Sequence, residues 1–204
     1  MHPNPAFRTE DQALSVEFAR SRAFGVLALS TADVPLISHV PFLLSEDGTF
    51  AELHLVRTNP IVRALTEPRA AKIAVTGPDG YVSPDWYGVE DQVPTWNYVA
   101  VHLTGVLELR PHDELQGLLE RQSAFYEQRL LPKPPWTTDK MTPEALDRMM
   151  RMIVPCRIQV DDIQGTWKLN QNKPDAVRFA AADQVGGGIG VDLAKLATLM
   201  RGQR

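Results

Sequence analysis

The stretch VPTWNYVAVHLTGVLEL, from Val93 to Leu109, constrains the fold more than any other part of the sequence. Read with a period of two residues, one face carries Val99, Val101, Leu103, Leu107 and Leu109, with Gly105 among them. The other face carries Trp96, Tyr98, Ala100, His102, Thr104, Val106 and Glu108. This alternation is typical of a β-strand with one face in the core. The second face combines aromatic and polar groups, which indicates that it contacts a ligand or another surface.

Similar patterns predict further strands at 24–30, 34–44, 49–57, 70–77 and 153–160. Helices are predicted at about 9–20, 60–67, 113–129, 142–152 and 191–201. Short connections such as SEDG at 45–48 favour antiparallel pairing, and an antiparallel, partly closed barrel with helices at its ends is the economical arrangement. We therefore expect a mainly β fold with helices (α+β) in a single domain over 1–204. It would carry a helical insertion at about 112–152 and a C-terminal linker plus helix at about 184–204.

Composition excludes some classes of function. The chain has 25 acidic and 21 basic residues and a net charge of −4, so it lacks the basic footprint of a DNA-binding domain, and specific DNA binding is not expected. Its single cysteine, Cys156, rules out an internal disulfide and fits a reducing cytoplasm. No apolar run approaches the ~20 residues of a membrane helix, and the N-terminus MHPNPAFRTEDQ does not resemble a signal peptide. These features predict a cytoplasmic protein without membrane contact.

The segment HLVRTNP, from His54 to Pro60, is a candidate anion site. Asn59 followed by proline predicts a helix start, whose unpaired N–H groups attract an anion. Arg57 lies just before that start, and His54 lies on the strand that leads to it. The alternative is that the arginine is a solvated surface charge and the histidine an ordinary strand residue.

Other motifs carry weaker signals. GGGIG at 186–190 has no strand before it and lacks the spacing of a dinucleotide fingerprint, so a flexible linker is expected there. The five histidines have no metal-ligand spacing, so no metal site is predicted, although His39, His54 and His102 could converge on a ligand such as haem. No nucleophile elbow is present, and no catalytic residue is assigned. WKLNQN at 167–172 offers an ammonium and amides that suit carbonyl and phosphate oxygens, or it is a polar strand end.

Four segments together resemble one family. YVSPDWYGVEDQVPTWNYVAVHLTG (81–105), PLISHVPF (35–42), HLVRTNP (54–60) and IQGTWKLNQNK (163–173) are similar, in this order, to motifs of the PaiB-type family of FMN-binding negative transcriptional regulators. The likeness extends from the N-terminus to about Lys173. Three positions depart from the family pattern: Leu53 stands at a common glycine, Val62 at a frequent tryptophan and Asn170 at a usual serine.

The resemblance implies an antiparallel split β-barrel of the pyridoxamine-phosphate-oxidase type with peripheral helices. It also implies a homodimer that holds FMN at the subunit interface, with the second face of the Val93–Leu109 strand turned toward the partner and the flavin. The cofactor-binding residues implied by the matching motifs are Ser38, His39, Val40, His54, Arg57, Asn59, Trp96, Asn97, Lys168, Gln171 and Asn172. The family's description suggests a negative regulator of transcription, and the acidic charge balance of the chain suggests that the effect is indirect. The alternatives are an FMN-dependent oxidoreductase acting on a small molecule and, further off, a haem-binding barrel.

Overall fold

The computed structural model describes residues 2–9 and 11–202. The strands are β1 (Phe24–Leu29), β2 (Leu36–Leu44), β3 (Phe50–Val56), β4 (Arg69–Val82), β5 (Thr95–Leu109), β6 (Ile153–Lys168) and β7 (Gly190–Val191). The α-helices are α1 (Gln12–Arg22), α2 (Pro60–Ala64), α3 (Leu115–Glu127), α4 (Pro143–Met150), α5 (Asp175–Val185) and α6 (Leu193–Met200). None of the helices in this described part has the length and apolar character needed to cross a membrane.

The strands form one sheet in the order β1-β2-β3-β6-β5-β4-β7, and an additional pairing of β1 with β4 closes the first six into a barrel. Val26 of β1 shows the closure, because it pairs with His39 of β2 on one side and with Ala74 of β4 on the other, both antiparallel. The predicted antiparallel barrel with peripheral helices is therefore confirmed.

The chain divides into two compact units. The barrel unit comprises Ala19–Ala74 and Leu103–Asp162 and includes a part of each of the six barrel strands. The second unit comprises the described residues up to Phe18, then Val75–His102 and the chain from Ile163 onward. The expectation of a single domain stays a prediction.

The core of the barrel unit consists of aliphatic and aromatic side chains that alternate along the strands. Its largest fully buried members on strands are Leu27, Leu29, Phe42, Leu53, Ile73, Leu103, Leu107 and Ile158. Cys156 is buried there too, and burial raises the pKa of its thiol to about 12, so it stays protonated and unreactive. Gly105 is needed for packing, because a Cβ at this position would lie 1.8 Å from the carbonyl oxygen of Gln159.

The second unit has a core built around α5 and α6. These helices pack Ala181, Val185, Leu196 and Met200 against Tyr87 and other apolar residues. No helix was predicted at the position of α5.

The glycine run at 186–190, predicted to be a flexible linker, leads into a short strand. It ends in β7, which pairs Gly190 with Gly80 and Val191 with Asp79 of β4. Gly190 has a φ of +153°, and a Cβ there would lie 2.2 Å from the carbonyl oxygen of Asp79, so a side chain would prevent this pairing. The glycines therefore allow the C-terminal segment to extend the sheet.

Candidate functional site

The two faces of β5 are confirmed. Val99, Val101 and Leu103 are at most 1% exposed, whereas Trp96 on the other face is 46% exposed. Leu109 departs from the pattern with 40% exposure, because it is the last residue of the strand and lies beyond the packed core. The aromatic and polar row of β5, which we define as Trp96, Tyr98, Ala100 and His102, therefore faces outward in the second unit.

A first hollow lies along this row. It has a volume of about 320 Å³, and we call it the ring hollow. It is lined by Thr76, Gly77, Asp79, Trp96, Tyr98, Val99 and Ala100. Trp96 is held edge-on by Tyr81, with ring centroids 6.4 Å apart, so its indole has a fixed neighbour. A flat apolar ring with polar edges suits such a surface.

A second hollow adjoins the first. Its volume is about 380 Å³, and we call it the histidine hollow. It is lined by His2, Pro3, Tyr98, Ala100, His102 and Thr166. Tyr98 and Ala100 belong to both hollows, so ligands in the two would be neighbours.

Asn97 lies on the opposite face of β5 from Trp96, in the aliphatic row. It is 0% exposed, and neither its amide nitrogen nor its amide oxygen has a hydrogen-bond partner among the described residues. Leaving a buried polar group unpaired costs about 1–3 kcal/mol, so such a group calls for a partner from outside the chain or an ordered water. The predicted role of Asn97 in cofactor binding stays a prediction.

In the barrel unit, the structure joins Ser38 and Asn59. The Asn59 amide nitrogen donates to the Ser38 hydroxyl at 3.1 Å, and its amide oxygen accepts from the backbone N–H of Ile61 at 2.9 Å. Asn59 therefore caps α2 as predicted, with Pro60 as the first helical residue. The helix has only five residues, so its dipole is weak and the donors around it matter more.

Arg57 contacts backbone carbonyls near this pair. Its Nε donates to Arg151 O at 2.9 Å, and one terminal nitrogen donates to Ile153 O at 3.3 Å. Because a guanidinium has five N–H groups, donors remain for an anion after these two contacts. The carbonyls fix the plane of the guanidinium and so orient the remaining donors.

His54 points to the other side of β3, toward α3. Its side chain hydrogen-bonds with that of Gln122, a buried residue of α3. Burial lowers the pKa of His54, and the contact with Gln122 opposes this shift only in part. The structure therefore gives His54 a partner on α3, and its predicted contact with phosphate stays a prediction.

Glu52 lies on the same face of β3 as His54. It accepts from Arg157 at 2.8 Å and from Arg121 at 2.9 Å. Burial alone would raise the pKa of the Glu52 carboxyl, but the two guanidinium contacts outweigh it, so the pKa is lowered and the carboxylate stays charged. This ion-paired group joins β3, β6 and α3 beside the imidazole.

Two more predicted site residues lie on β2. His39 is exposed and stacks with Phe24 of β1 at a centroid distance of 6.4 Å, whereas Val40 is buried. Only the backbone of Val40 could contact a ligand. The side chains of Phe24 and His39 form an outward-facing pair that a ring could cover.

The predicted polar residues near the end of β6 mostly serve the second unit. Lys168 donates to the Thr95 hydroxyl, and burial lowers the pKa of its ammonium. Gln171 accepts from the backbone of Leu169 and donates to Ala6 O at 3.0 Å. Asn172 is exposed. These contacts make Gln171 an anchor of its own turn, and its contact with a cofactor stays a prediction.

Asn170, one of the departures from the family pattern, has a structural reason. Its φ is +62°, a left-handed conformation that asparagine tolerates better than serine, and its amide donates to the Tyr87 hydroxyl at 3.0 Å. It thereby ties the turn after β6 to the aromatic loop before β5. Leu53, another departure, is fully buried in the barrel core.

Sequence reasoning missed several residues that line the hollows. Thr76 lies near the end of the strand predicted at 70–77, and Asp79 lies beyond that end, because GPDG at 77–80 looks like a turn. His2 and Thr166 lack any local motif. A strand pattern continued through Gly77 and Gly80 would have revealed Asp79.

No group of three or more His, Cys, Asp or Glu side chains able to hold a metal ion occurs within residues 2–9 and 11–202. His39, His54 and His102, which could converge on a ligand by their places in the sequence, are not part of such a group within this range.

The fold is shared with solved structures of low sequence identity. The chain is similar to an FAD- and haem-binding protein from Mycobacterium smegmatis, with a TM-score of 0.55, 17% identity and coverage of 79% of this chain and 73% of the other. It is also similar to the flavocytochrome Anf3 from Azotobacter vinelandii, with a TM-score of 0.57, 14% identity and coverage of 82% and 72%. These likenesses support the split-barrel fold.

Sequence comparison identifies the family of the chain. The chain is 30% identical over 185 residues to the protease synthase and sporulation protein PAI 2 of Bacillus subtilis, covering 90% of this chain and 88% of that protein. A family model described as "Putative FMN-binding domain" matches residues 1–162. This chain therefore belongs to the FMN-binding domain family that includes its PaiB-type relatives.

Proposed function

We propose that this chain is a PaiB-type regulator that binds FMN as a homodimer and affects transcription indirectly. FMN is the cofactor named in the description of the family. The site residues, the dimer and the regulatory effect are the parts that we add, and each is supported by separate features of the structure. A cytoplasmic location stays a prediction.

The ring hollow is the observation that carries the proposal. Its volume of about 320 Å³ lies at the lower end of the range for small-molecule sites. Trp96 and Tyr98 supply aromatic surface for an isoalloxazine, and the Asp79 carboxylate supplies an acceptor for its ring N–H. These residue types fit the flavin ring, which bound FMN would use for electron transfer.

The phosphate would be held by donors of the barrel unit. Arg57 keeps unused N–H groups after its two carbonyl contacts. Ser38 would supply a second donor, because Asn59 already orients its hydroxyl. A preoriented guanidinium suits a phosphate, because its fork matches two oxygens at once. His54 is not needed for this arrangement.

Exposed apolar residues on strands support a homodimer. Trp96 and Val106 are exposed on the second face of β5, as are Phe24 and Ile37 on the outer faces of β1 and β2. Monomeric proteins rarely expose clusters of such residues, so burial of these side chains against a second copy of the chain is the simplest explanation.

Several basic side chains on and near α3 and α4 are engaged within the barrel unit. Arg121 pairs with Glu52, Lys133 with Glu127 and Arg151 with Asp147. Arg129 donates to the Ser21 carbonyl at 2.7 Å. Pairing of this kind leaves little charge for phosphate backbones, which supports an indirect effect on transcription.

An FMN-dependent oxidoreductase acting on a small molecule is the second candidate function. The histidine hollow favours it, because it shares a wall with the ring hollow and could place a second molecule beside a flavin.

Two measurements test the proposal. An absorption spectrum of the purified protein should contain flavin bands and no haem Soret band. A mobility-shift titration at physiological salt should give at most weak, steeply salt-dependent retention of DNA. Sequence-specific retention at nanomolar protein would show that the chain acts on DNA directly and would refute the indirect effect.

A further inference from the structure

We infer that the histidine hollow is a second small-molecule site, and that it takes a small planar carboxylate. The inference deepens the proposed function and rests on it in one respect: the ligand would be the neighbour of a flavin ring in the ring hollow. The site itself is argued from the residues that line the hollow.

The position of the hollow gives it a functional neighbour. Tyr98 and Ala100 form a common wall of both hollows, so a planar molecule in the histidine hollow would lie next to whatever occupies the other. At about 380 Å³, it is large enough for a molecule with a single ring. Tyr98 and Pro3 supply flat surfaces against which such a ring can pack.

The polar groups of the hollow favour acceptor atoms on the ligand. The Nδ1 of His2 accepts the backbone N–H of Asn4 at 3.1 Å, so a neutral His2 carries its hydrogen on Nε2 and has a donor to offer. His102 adds a second imidazole to the lining. Carboxylate oxygens are the strongest acceptors for imidazole donors.

The two hollows differ in the charge of the side chains that line them. The ring hollow includes the Asp79 carboxylate, which repels an anion, whereas no acidic side chain occurs among the described residues that line the histidine hollow. A small carboxylate would therefore prefer the histidine hollow. An isoalloxazine edge, which donates through its ring N–H, would prefer the ring hollow.

The N-terminal wall of the hollow, formed by His2 and Pro3, is fixed by several contacts. The backbone N–H of His2 donates to the Thr166 hydroxyl at 3.4 Å, and Arg8 forms a β-bridge with Thr166. The Arg8 guanidinium also donates to the carbonyls of His2 and Pro3, at 3.1 and 3.3 Å. Phe7 meets the His2 ring edge-on at 4.8 Å. This wall is preformed, which lowers the entropic cost of binding.

The test uses the imidazole Cε1–H signals of the full chain in a carbon–proton correlation spectrum, with sodium benzoate as the probe. The five histidines give five signals, assigned by His2→Ala, His39→Asn, His102→Asn and His112→Asn, with His54 left by elimination. In the flavin-free protein, benzoate should shift the His2 and His102 signals saturably and leave those of His112 and His39 in place. His2→Ala should weaken benzoate about tenfold, because it removes a hydrogen bond to a charged group, and His112→Asn should leave the affinity unchanged.

The outcomes separate this inference from the proposed function. Benzoate binding at His2 and His102 in a protein that fails to take up FMN would support the second site and contradict the proposed function. Uptake of FMN with no saturable shift at His2 and His102, or with equal shifts at His112 and His39, would overturn the second site and leave the proposed function standing.

Discussion

Arg57 donates from Nε to the backbone carbonyl of Arg151 at 2.9 Å, joining the end of β3 to the end of α4. The backbone N–H of Arg57 reinforces this link by donating to Met152 O at 2.8 Å. The side chain thus has a structural task, and its remaining donors are held in a fixed orientation. A residue of this kind can serve an anion without reorganising.

Replacing Arg57 by alanine should weaken FMN far more than riboflavin. The two ligands differ by the phosphate, so any general loosening near α4 affects both equally. Loss of a charge-assisted contact costs about 1.5–3 kcal/mol, or roughly ten- to a hundred-fold in affinity for FMN. Fluorescence titration of both ligands measures the difference. Arg148→Ala, a change of the same type on exposed α4, is the matched control, and equal losses for the two flavins in Arg57→Ala would mean that the phosphate is bound elsewhere.

Replacing Trp96 by alanine should weaken FMN and riboflavin to the same extent, because the indole would contact the ring that both share. Aromatic contact contributes about 0.5–1.5 kcal/mol beyond area burial, so a loss of roughly threefold to tenfold or more is expected. Trp96→Phe should recover most of the affinity, and Val93→Ala, at an exposed apolar residue before β5, should change nothing. A loss confined to FMN would place the ring away from Trp96.

The barrel could be predicted because the signals for its strands lie within short stretches of the sequence. The alternation of Val99, Val101 and Leu103 is sufficient to define a half-buried strand. The extent of β4 was not predictable in this way, because Gly77 and Gly80 look like turn residues. They are glycines for another reason: a Cβ at Gly77 would lie 2.6 Å from the Phe18 ring, and one at Gly80 would lie 2.8 Å from Leu196. Such close packing depends on distant segments.

The candidate site was only partly predictable for the same reason. Asn59 and Pro60 form a local capping signal, and the structure confirms the helix start. The motif predicts His54 as a phosphate ligand, which stays a prediction, and nothing in the motif indicates that Gln122 of α3 contacts this imidazole. The direction in which a strand residue points is predictable, whereas the element that covers it is not.

The stability of the protein should fall with acid partly through His54. Burial lowers its pKa in the folded state, so between its ordinary value of 6.5 and that lower value the unfolded state binds a proton that the folded state does not. The stabilisation is therefore present above pH 6.5 and is lost as the pH falls through the folded pKa. Urea unfolding of the wild type and His54→Asn should show a flatter acid limb in the variant. His112→Asn, at an exposed histidine, should keep the wild-type slope, and an unchanged slope in His54→Asn would show that His54 does not contribute.

The most direct test of the central claim is analytical ultracentrifugation of the flavin-loaded protein, followed at a protein wavelength and at a flavin wavelength. Both signals should sediment together as one species with the mass of two chains and one FMN per chain. Flavin that sediments with a single chain, or a dimer that carries no flavin at saturating FMN, would contradict the account.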